Sequence, residues 1–239
     1  LREFRLVNVE GTMRLASQAA DAGVKRFIFL SSIKVNGEET TPGRPFRADQ
    51  VPRPQDPYGV SKMEAEACLN SLGEGANMEV VIIRPPLVYG PGVRANFLAM
   101  MKWLSLGVPL PFGCVMENRR SLVALDNLVD LIATCLDHPA AASQTFLVSD
   151  GESLSTGSLL RRMGNALGQP VHLIPVPLPF LSAAAALIGK REVARRLLGS
   201  LEVDITSTQE RLKWTPPISV DEGLRRAARF WASAQDSSR

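Results

Sequence analysis

Residues 27–30 are apolar without a break, and a second apolar block fills the centre of MEVVIIRPP at 78–86. Short uninterrupted blocks of this kind suit strands buried on both faces of a parallel sheet. Before the first block, VNVEGTMRLASQAADAGV places Val9, Met13, Leu15, Ala16 and Ala19 or Ala20 on an approximate apolar face, with Gly23 as a stop, so a helix is predicted there. Residues 36–57 mix Gly, Pro, Thr and charge without periodicity and read as a long loop, a length that is uncommon in compact domains unless it is functional. A helix over 58–72 and the strand at 78–86 follow. Helix, strand, loop, helix, strand predicts a doubly wound α/β arrangement with right-handed crossovers.

After VYGPG the pattern changes. NFLAMMKWLSLG reads as a helix, RRSLVALDNLVDLIATCLDH as a short strand entering a helix, and QTFLVSD as a further strand. STGSLLRRMGNALG carries a helix-start signature, and VDEGLRRAARFWASA closes the chain as an amphipathic helix with Leu224, Ala227, Ala228 and Trp231 on one side. Asp126 is read as a helix cap. The most apolar stretch, LIPVPLPFLSAAAALIG at 173–189, is shorter than a membrane span and has three prolines in its first half. A loop with a buried or lid-like helix is expected, membrane contact being the lesser reading.

At 239 residues the chain can bury a substantial core. Lys and Arg outnumber Asp and Glu only 27 to 24, a net charge of +3 without a basic tail, which excludes a nucleic-acid binder and suits a phosphate-bearing small molecule. Cys68, Cys114 and Cys135 are odd in number and widely spaced, so neither a disulfide framework nor a zinc site is expected and a reducing, cytoplasmic setting fits. His138 and His172 form no ligand array, and no metal is expected.

Chemistry concentrates in DPYGVSK, 56–62. If Tyr58 opens a helix, Lys62 lies one turn further along the same face. A phenol near pKa 10 is a poor base at neutral pH, and a nearby ammonium lowers the cost of its phenolate, so the pair can move a proton to or from an alcohol. Ser31 and Ser32 sit at the C-terminal end of the first strand, where open α/β sheets place their ligands.

Together NVEGT (8–12), VKRFIFLSSIKVNG (24–37), PYGVSKMEAE (57–66), IIRPPLVYGPG (82–92), NRRSLVALDNLVDLI (118–132) and the stretch at 203–224 resemble the extended short-chain dehydrogenase/reductase family, in its nucleotide-sugar epimerase and dehydratase branch. The resemblance implies a Rossmann-like doubly wound parallel sheet with a smaller mixed α/β C-terminal substrate lobe. Residues 1–92 would form the remaining part of the NAD(P)-binding domain, and 93–239 mainly the lobe, with about 119–150 returning to the first domain. The G-x-G-x-x-G turn and its strand are not found, so the chain reads as lacking the domain's N-terminal strands.

By the same resemblance, Ser32, Tyr58 and Lys62 are the catalytic set. Asn8, Ser31, Tyr58, Lys62, Pro85 and Val88 approach the cofactor, which is NAD with NADP open. Ser32, Asn96 and Arg119 approach a UDP-linked nucleotide sugar, and a homodimer is implied. Dehydratases of the family carry an acidic pair where this chain has Ile33 and Lys34, which disfavours water elimination. Familiar epimerases carry Thr and Tyr in place of Lys34 and Asn36, which leaves the sugar open. The leading expectation is an NAD-dependent 4-epimerase of a UDP-hexose or UDP-N-acetylhexosamine working through a 4-keto intermediate. Its alternatives are an NAD(P)H-dependent C4 reductase of a UDP-4-keto-6-deoxy-hexose and an inactive family member.

Overall fold

The structure, a computed structural model, describes residues 1–41, 43–92 and 96–236. The chain opens on α1 (Arg2–Arg5), widens to π-helical bonding over Leu6–Gly11 and continues as α2 (Thr12–Asp21). There follow β1 (Arg26–Leu30), α3 (Pro57–Ala76), β2 (Glu79–Arg84), β3 (Leu87–Tyr89), α4 (Asn96–Ser105), β4 (Arg120–Ala124) and α5 (Leu125–Asp137). The remainder is β5 (Thr145–Leu147), β6 (Ser153–Leu154), α6 (Thr156–Leu167), α7 (Leu178–Leu187), α8 (Arg191–Leu198), α9 (Thr206–Leu212) and α10 (Val220–Asp236).

Strands β1, β2 and β5 form a parallel sheet in that order. Because side chains alternate along a strand, β2 feeds two cores. Val80 and Ile82 pack with Phe29 against Ala16 of α2 and Ala65 and Leu69 of α3. Val81 and Ile83 face the other way, with Phe146, against Leu128, Leu131 and Cys135 of α5. Helices on both faces of a parallel sheet are the doubly wound arrangement expected. A second sheet, β3-β4-β6, pairs parallel and then antiparallel. A third core gathers on it from α4, α6 and α10, through Phe97, Met101, Leu159, Leu160, Met163 and Leu224.

An extended segment stitches the two sheets together. Leu201 N donates to Arg119 O and Ser121 N to Leu201 O, both at 2.8 Å, while Phe46 N donates to Glu202 O at 2.8 Å and Thr40 N to Ser200 O at 2.9 Å. The long loop after β1 is thereby held at Thr40 and Phe46 by backbone bonds, despite its lack of periodicity.

Helix α3 begins where the sequence asks for it. Asp56 Oδ1 accepts the Gly59 N–H at 2.6 Å and Pro57 occupies the first turn. Its last residue is Ala76, four beyond the expected end at 72, and Asn77 caps it in the left-handed conformation with φ 52°. Gly73 is weak for a helix but fits where no side chain could, since a Cβ would stand 2.7 Å from Met78 O.

Three expectations change. The apolar stretch does form a helix, α7, but none of its residues is buried, and Phe180, Leu187 and Ile188 are exposed. No described helix is long and apolar enough to cross a membrane. Asp126 does not cap α5, whose N-cap is Ala124; its Oδ1 accepts from Arg226 Nη1 at 3.0 Å instead. The short amphipathic helices α8 and α9 are additional to those predicted.

Under the catalytic-helix candidate lies a buried ion pair. Arg84, the last residue of β2, donates Nε to Glu66 Oε1 at 2.9 Å and Nη2 to Glu66 Oε2 at 2.6 Å, with both side chains 6% exposed. Its third nitrogen, Nη1, donates to Asn36 Oδ1 at 3.0 Å, and Asn36 Nδ2 donates to Arg47 O at 2.8 Å. Removing one partner of such a pair strands the other in a dry interior. Glu66→Ala is therefore expected to lower the unfolding free energy by about 3–5 kcal/mol, as measured by denaturant titration.

Candidate active site

Ser31 and Ser32 follow β1, and Pro85 and Pro86 follow β2, so both strands end at the same edge of the parallel sheet. The chain turns there because Ser32 caps the short 3₁₀ turn Ile33–Val35, its Oγ accepting from Lys34 N at 3.3 Å, and Ile33 N donates to Pro85 O at 3.0 Å. Helix α3 arrives over this edge. Its first turn presses directly on the 3₁₀ turn: a Cβ on Gly59 would come within 2.8 Å of Lys34 O, so only glycine allows Tyr58 this approach.

Ser32, Lys34, Glu38 and Tyr58 line a cavity of about 260 Å³. Arg120, Thr156 and Arg196 supply polar groups elsewhere in its wall, and Ile33, Leu87, Met100, Leu122, Leu159, Leu197 and Leu201 make the rest apolar. Arg120 Nη1 donates to Gly199 O at 3.0 Å. Burial lowers its pKa, Glu39 opposing and Arg196 adding to that shift. Two guanidinium groups beside one another in a concave wall make a place for an anion of more than one charge.

Tyr58 is half-buried, and burial pushes its phenol above the ordinary value. Lys34 acts to lower it, Asp56 to raise it, and hydrogen bonding from Ser32 to lower it. Lys62 lies beside the phenol: Nζ donates to Leu30 O at 2.9 Å, 4.5 Å above the Phe29 ring centre and 6.0 Å from that of Tyr58. Burial lowers the pKa of Lys62 against the pull of Glu66. Asn8 Nδ2 donates to Ser61 Oγ at 3.0 Å, and Ser61 Oγ donates to Tyr58 O at 2.8 Å, which ties the helix before β1 to the first turn of α3. Ser31 Oγ is buried and makes no hydrogen bond among the described residues.

Ser32, Tyr58, Lys62, Ser31 and Asn8 thus gather at one sheet edge. Pro85 and Val88 do not line the cavity: Pro85 accepts from Ile33, and Val88 packs on the sheet core. The Asn96 side chain lies outside the described residues. Arg119 is exposed, its Nη1 donating to Met116 O at 3.4 Å, and the cavity arginine is its neighbour Arg120. Strand phase was the available signal, since residues 120 and 122 share a face and 119 does not. Arg196 and Lys34 were also absent from the expected set. Among the described residues, no group of three His, Cys, Asp or Glu could hold a metal.

The sequence profile of the NAD dependent epimerase/dehydratase family matches residues 2–149. A UDP-glucose 4-epimerase of Vibrio cholerae is 51% identical over 233 residues, covering 98% of this chain and 71% of the relative. A UDP-glucose 4-epimerase of Mycolicibacterium smegmatis is 30% identical, covering 94% and 68%. In fold, the chain is similar to the crystal structure of a UDP-glucose 4-epimerase from Thermotoga maritima with UDP-glucose. The TM-score is 0.73 at 21% identity, over 97% of this chain and 71% of that one.

A buried hydroxyl without a partner costs stability, and removing it relieves that cost. Ser31→Ala should leave the unfolding free energy unchanged or raise it by up to about 1 kcal/mol. A fall of more than that in denaturant unfolding would show that the hydroxyl has a structural partner.

Proposed function

The chain belongs to the NAD dependent epimerase/dehydratase family, and we propose that it is an NAD-dependent nucleotide-sugar 4-epimerase acting on a UDP-hexose or UDP-N-acetylhexosamine. The observation that carries this reading is the shared cavity, whose wall holds Ser32 and Tyr58 together with Arg120 and Arg196. A sugar carbon and a diphosphate need that combination of groups. The Vibrio cholerae relative, at 51% identity, supports the same reading.

When bound, NAD supplies the acceptor and donor of hydride at the sugar carbon. The residues at the sheet edge fit it. Ser31 offers a buried hydroxyl without a partner, Lys62 a half-buried ammonium suited to ribose hydroxyls, and Asn8 an amide on the adjoining helix. Tyr58 takes the proton of the C4 hydroxyl as that carbon is oxidised, and returns it after the 4-keto sugar has presented its other face. Ser32 holds the same oxygen through its hydroxyl. Arg120 and Arg196 hold the diphosphate, and the apolar wall excludes water from the remaining space.

One observation favours a second reading. The cavity wall includes Ile33 and Leu87, whose side chains offer contact to a methyl group and no partner to a C6 hydroxyl. Net C4 reduction of a UDP-4-keto-6-deoxy-hexose would use Tyr58 as proton donor with NADH or NADPH as the reductant.

The two readings separate in one assay. UDP-glucose or UDP-N-acetylglucosamine incubated with the protein and NAD, followed by NMR, should yield the C4 epimer without consumption of a reductant. Strict dependence on NADH or NADPH with a 4-keto-6-deoxy substrate would replace this with the second reading. In either case Tyr58→Phe should lower turnover by about 10²-fold or more. Arg120→Leu should raise KM by about 10- to 100-fold, the loss of a charge-assisted phosphate contact. Unchanged kinetics in Tyr58→Phe would refute its role.

A further inference from the structure

The proposed reaction needs a tyrosine that ionises near neutral pH, yet burial raises the Tyr58 phenol. Lys62, the ammonium of the sequence motif, spends a hydrogen bond on Leu30 O and lies over Phe29. A second ammonium stands nearby. Lys34 shares the cavity wall with Tyr58 and Ser32. Its Nζ donates to Glu38 Oε1 at 3.0 Å and also pairs with Asp56 Oδ2.

Each of those carboxylates is itself anchored. Asp56 caps α3 through Gly59 N, so the residue that holds Lys34 also starts the helix bearing Tyr58. Glu38, 6% exposed, pairs through its other oxygen with Arg195 of α8, and Arg195 in turn reaches Glu192 at 2.8 Å. The Lys34 carbonyl lies under Gly59. The ammonium is therefore fixed at both ends of its residue, backbone and side chain.

We propose that Lys34 is a positioning residue of the active site, a fixed cation that sets the ionisation of Tyr58 alongside Lys62. The proposal rests on the reading of Tyr58 as the proton-transfer group and adds a residue to it. The groups that act on the phenol are then all in view. Lys62 lies on its own helix, and Lys34 and Asp56 lie across the first turn, with Glu38 and Arg195 behind Lys34. Ser32 is at the strand end, and Arg120 and Arg196 line the same cavity. From α1, the Phe4 ring meets Tyr58 edge-on at 5.8 Å, and Arg5 pairs with Glu64 of α3. A positive charge near a phenol favours its phenolate and a negative charge opposes it. Lys34 and Asp56 therefore pull in opposite directions, although they are bonded to each other.

The chain contains only two tyrosines, which makes the test direct. Tyr89 is buried, and burial with the nearby Asp150 carboxylate drives its phenol far above the ordinary range. Tyrosinate absorbance in an alkaline titration of the full protein therefore reads Tyr58, with Tyr58→Phe setting the baseline. Lys34→Gln should move the transition to higher pH, since it removes a cation and leaves two carboxylates behind. Lys34→Arg should return it toward wild type. Asp56→Asn, which keeps a good N-cap residue, should move it to lower pH. Circular dichroism confirms that each variant is folded, and if Lys34→Gln is not, Asp56→Asn decides. Coincident transitions, or shifts of the same sign in Lys34→Gln and Asp56→Asn, overturn the proposal. The titration involves no turnover, so its failure would leave the epimerase assay standing, and failure of that assay would leave the titration standing.

Discussion

The rest of the site depends on the buried pair between Arg84 and Glu66. Taking two charges out of water is costly, and the pair tolerates it because every guanidinium nitrogen has a carboxylate or amide partner. That cost makes the geometry selective. Tyr58, Lys62 and Glu66 are spaced by four residues along α3 and share one stripe of the helix. With Glu66 locked to the end of β2, the stripe faces the sheet edge, and Lys62 reaches Leu30 O at the end of β1. A rotation of α3 by one residue would break the bidentate pair and carry Tyr58 away from Ser32 at the same time. The third bond, to Asn36, holds the segment after Ser32 to the same point, so helix, strand and loop share one fixed reference.

Much of this was legible in the sequence because its signals are local. Apolar blocks announced β1 and β2, and the helix expected from 58 begins at Pro57. Ser32, Tyr58 and Lys62 were found by motif and then met at one edge. What the sequence could not yield depends on which face a residue presents. Arg119 and Arg120 differ by one position, and an extended chain turns neighbours to opposite sides; the motif named Arg119, which is exposed, while Arg120 lines the cavity, and only strand phase tells them apart. The stretch at 173–189 has a buried composition, but composition does not say whether another element covers it, and α7 presents its apolar residues outward. Asp126 has the residue type of a cap and instead pairs with Arg226, a partner 100 positions away. Long-range partners also explain why Lys34 read only as a departure from the family pattern, since Asp56, Glu38 and Arg195 meet it only in the folded chain.

Fixed charges link α8 to the first turn of α3. A continuous series runs from Arg195 on α8 through Glu38 and Lys34 to Asp56 at the cap of α3. The adjacent Arg196 lines the cavity, so α8 contributes both to the wall that would receive a diphosphate and to the network behind the phenol. Asn118 secures that helix from beneath. Its amide donates to Leu197 O and Gly199 O, each at 3.2 Å, and its oxygen accepts from Thr156 N at 3.0 Å.

The field at Tyr58 is then a balance rather than the property of one neighbour. Burial raises the phenol, Asp56 adds to that rise, and Ser32 and Lys34 oppose it. Asp56 resolves its own conflict in the same way: burial alone would raise its pKa, and its bonds to Lys34 and Gly59 hold it below the ordinary value. The carboxylate therefore stays charged, which keeps both the cap of α3 and the ion pair with Lys34 intact across the neutral range. A more exposed phenol would ionise with less help, but water would then reach the oxygen that, in the proposed reaction, exchanges a proton with the sugar alone. Burying Tyr58 and surrounding it with fixed charges meets both needs, and it ties the tyrosine's chemistry to the same contacts that position its helix.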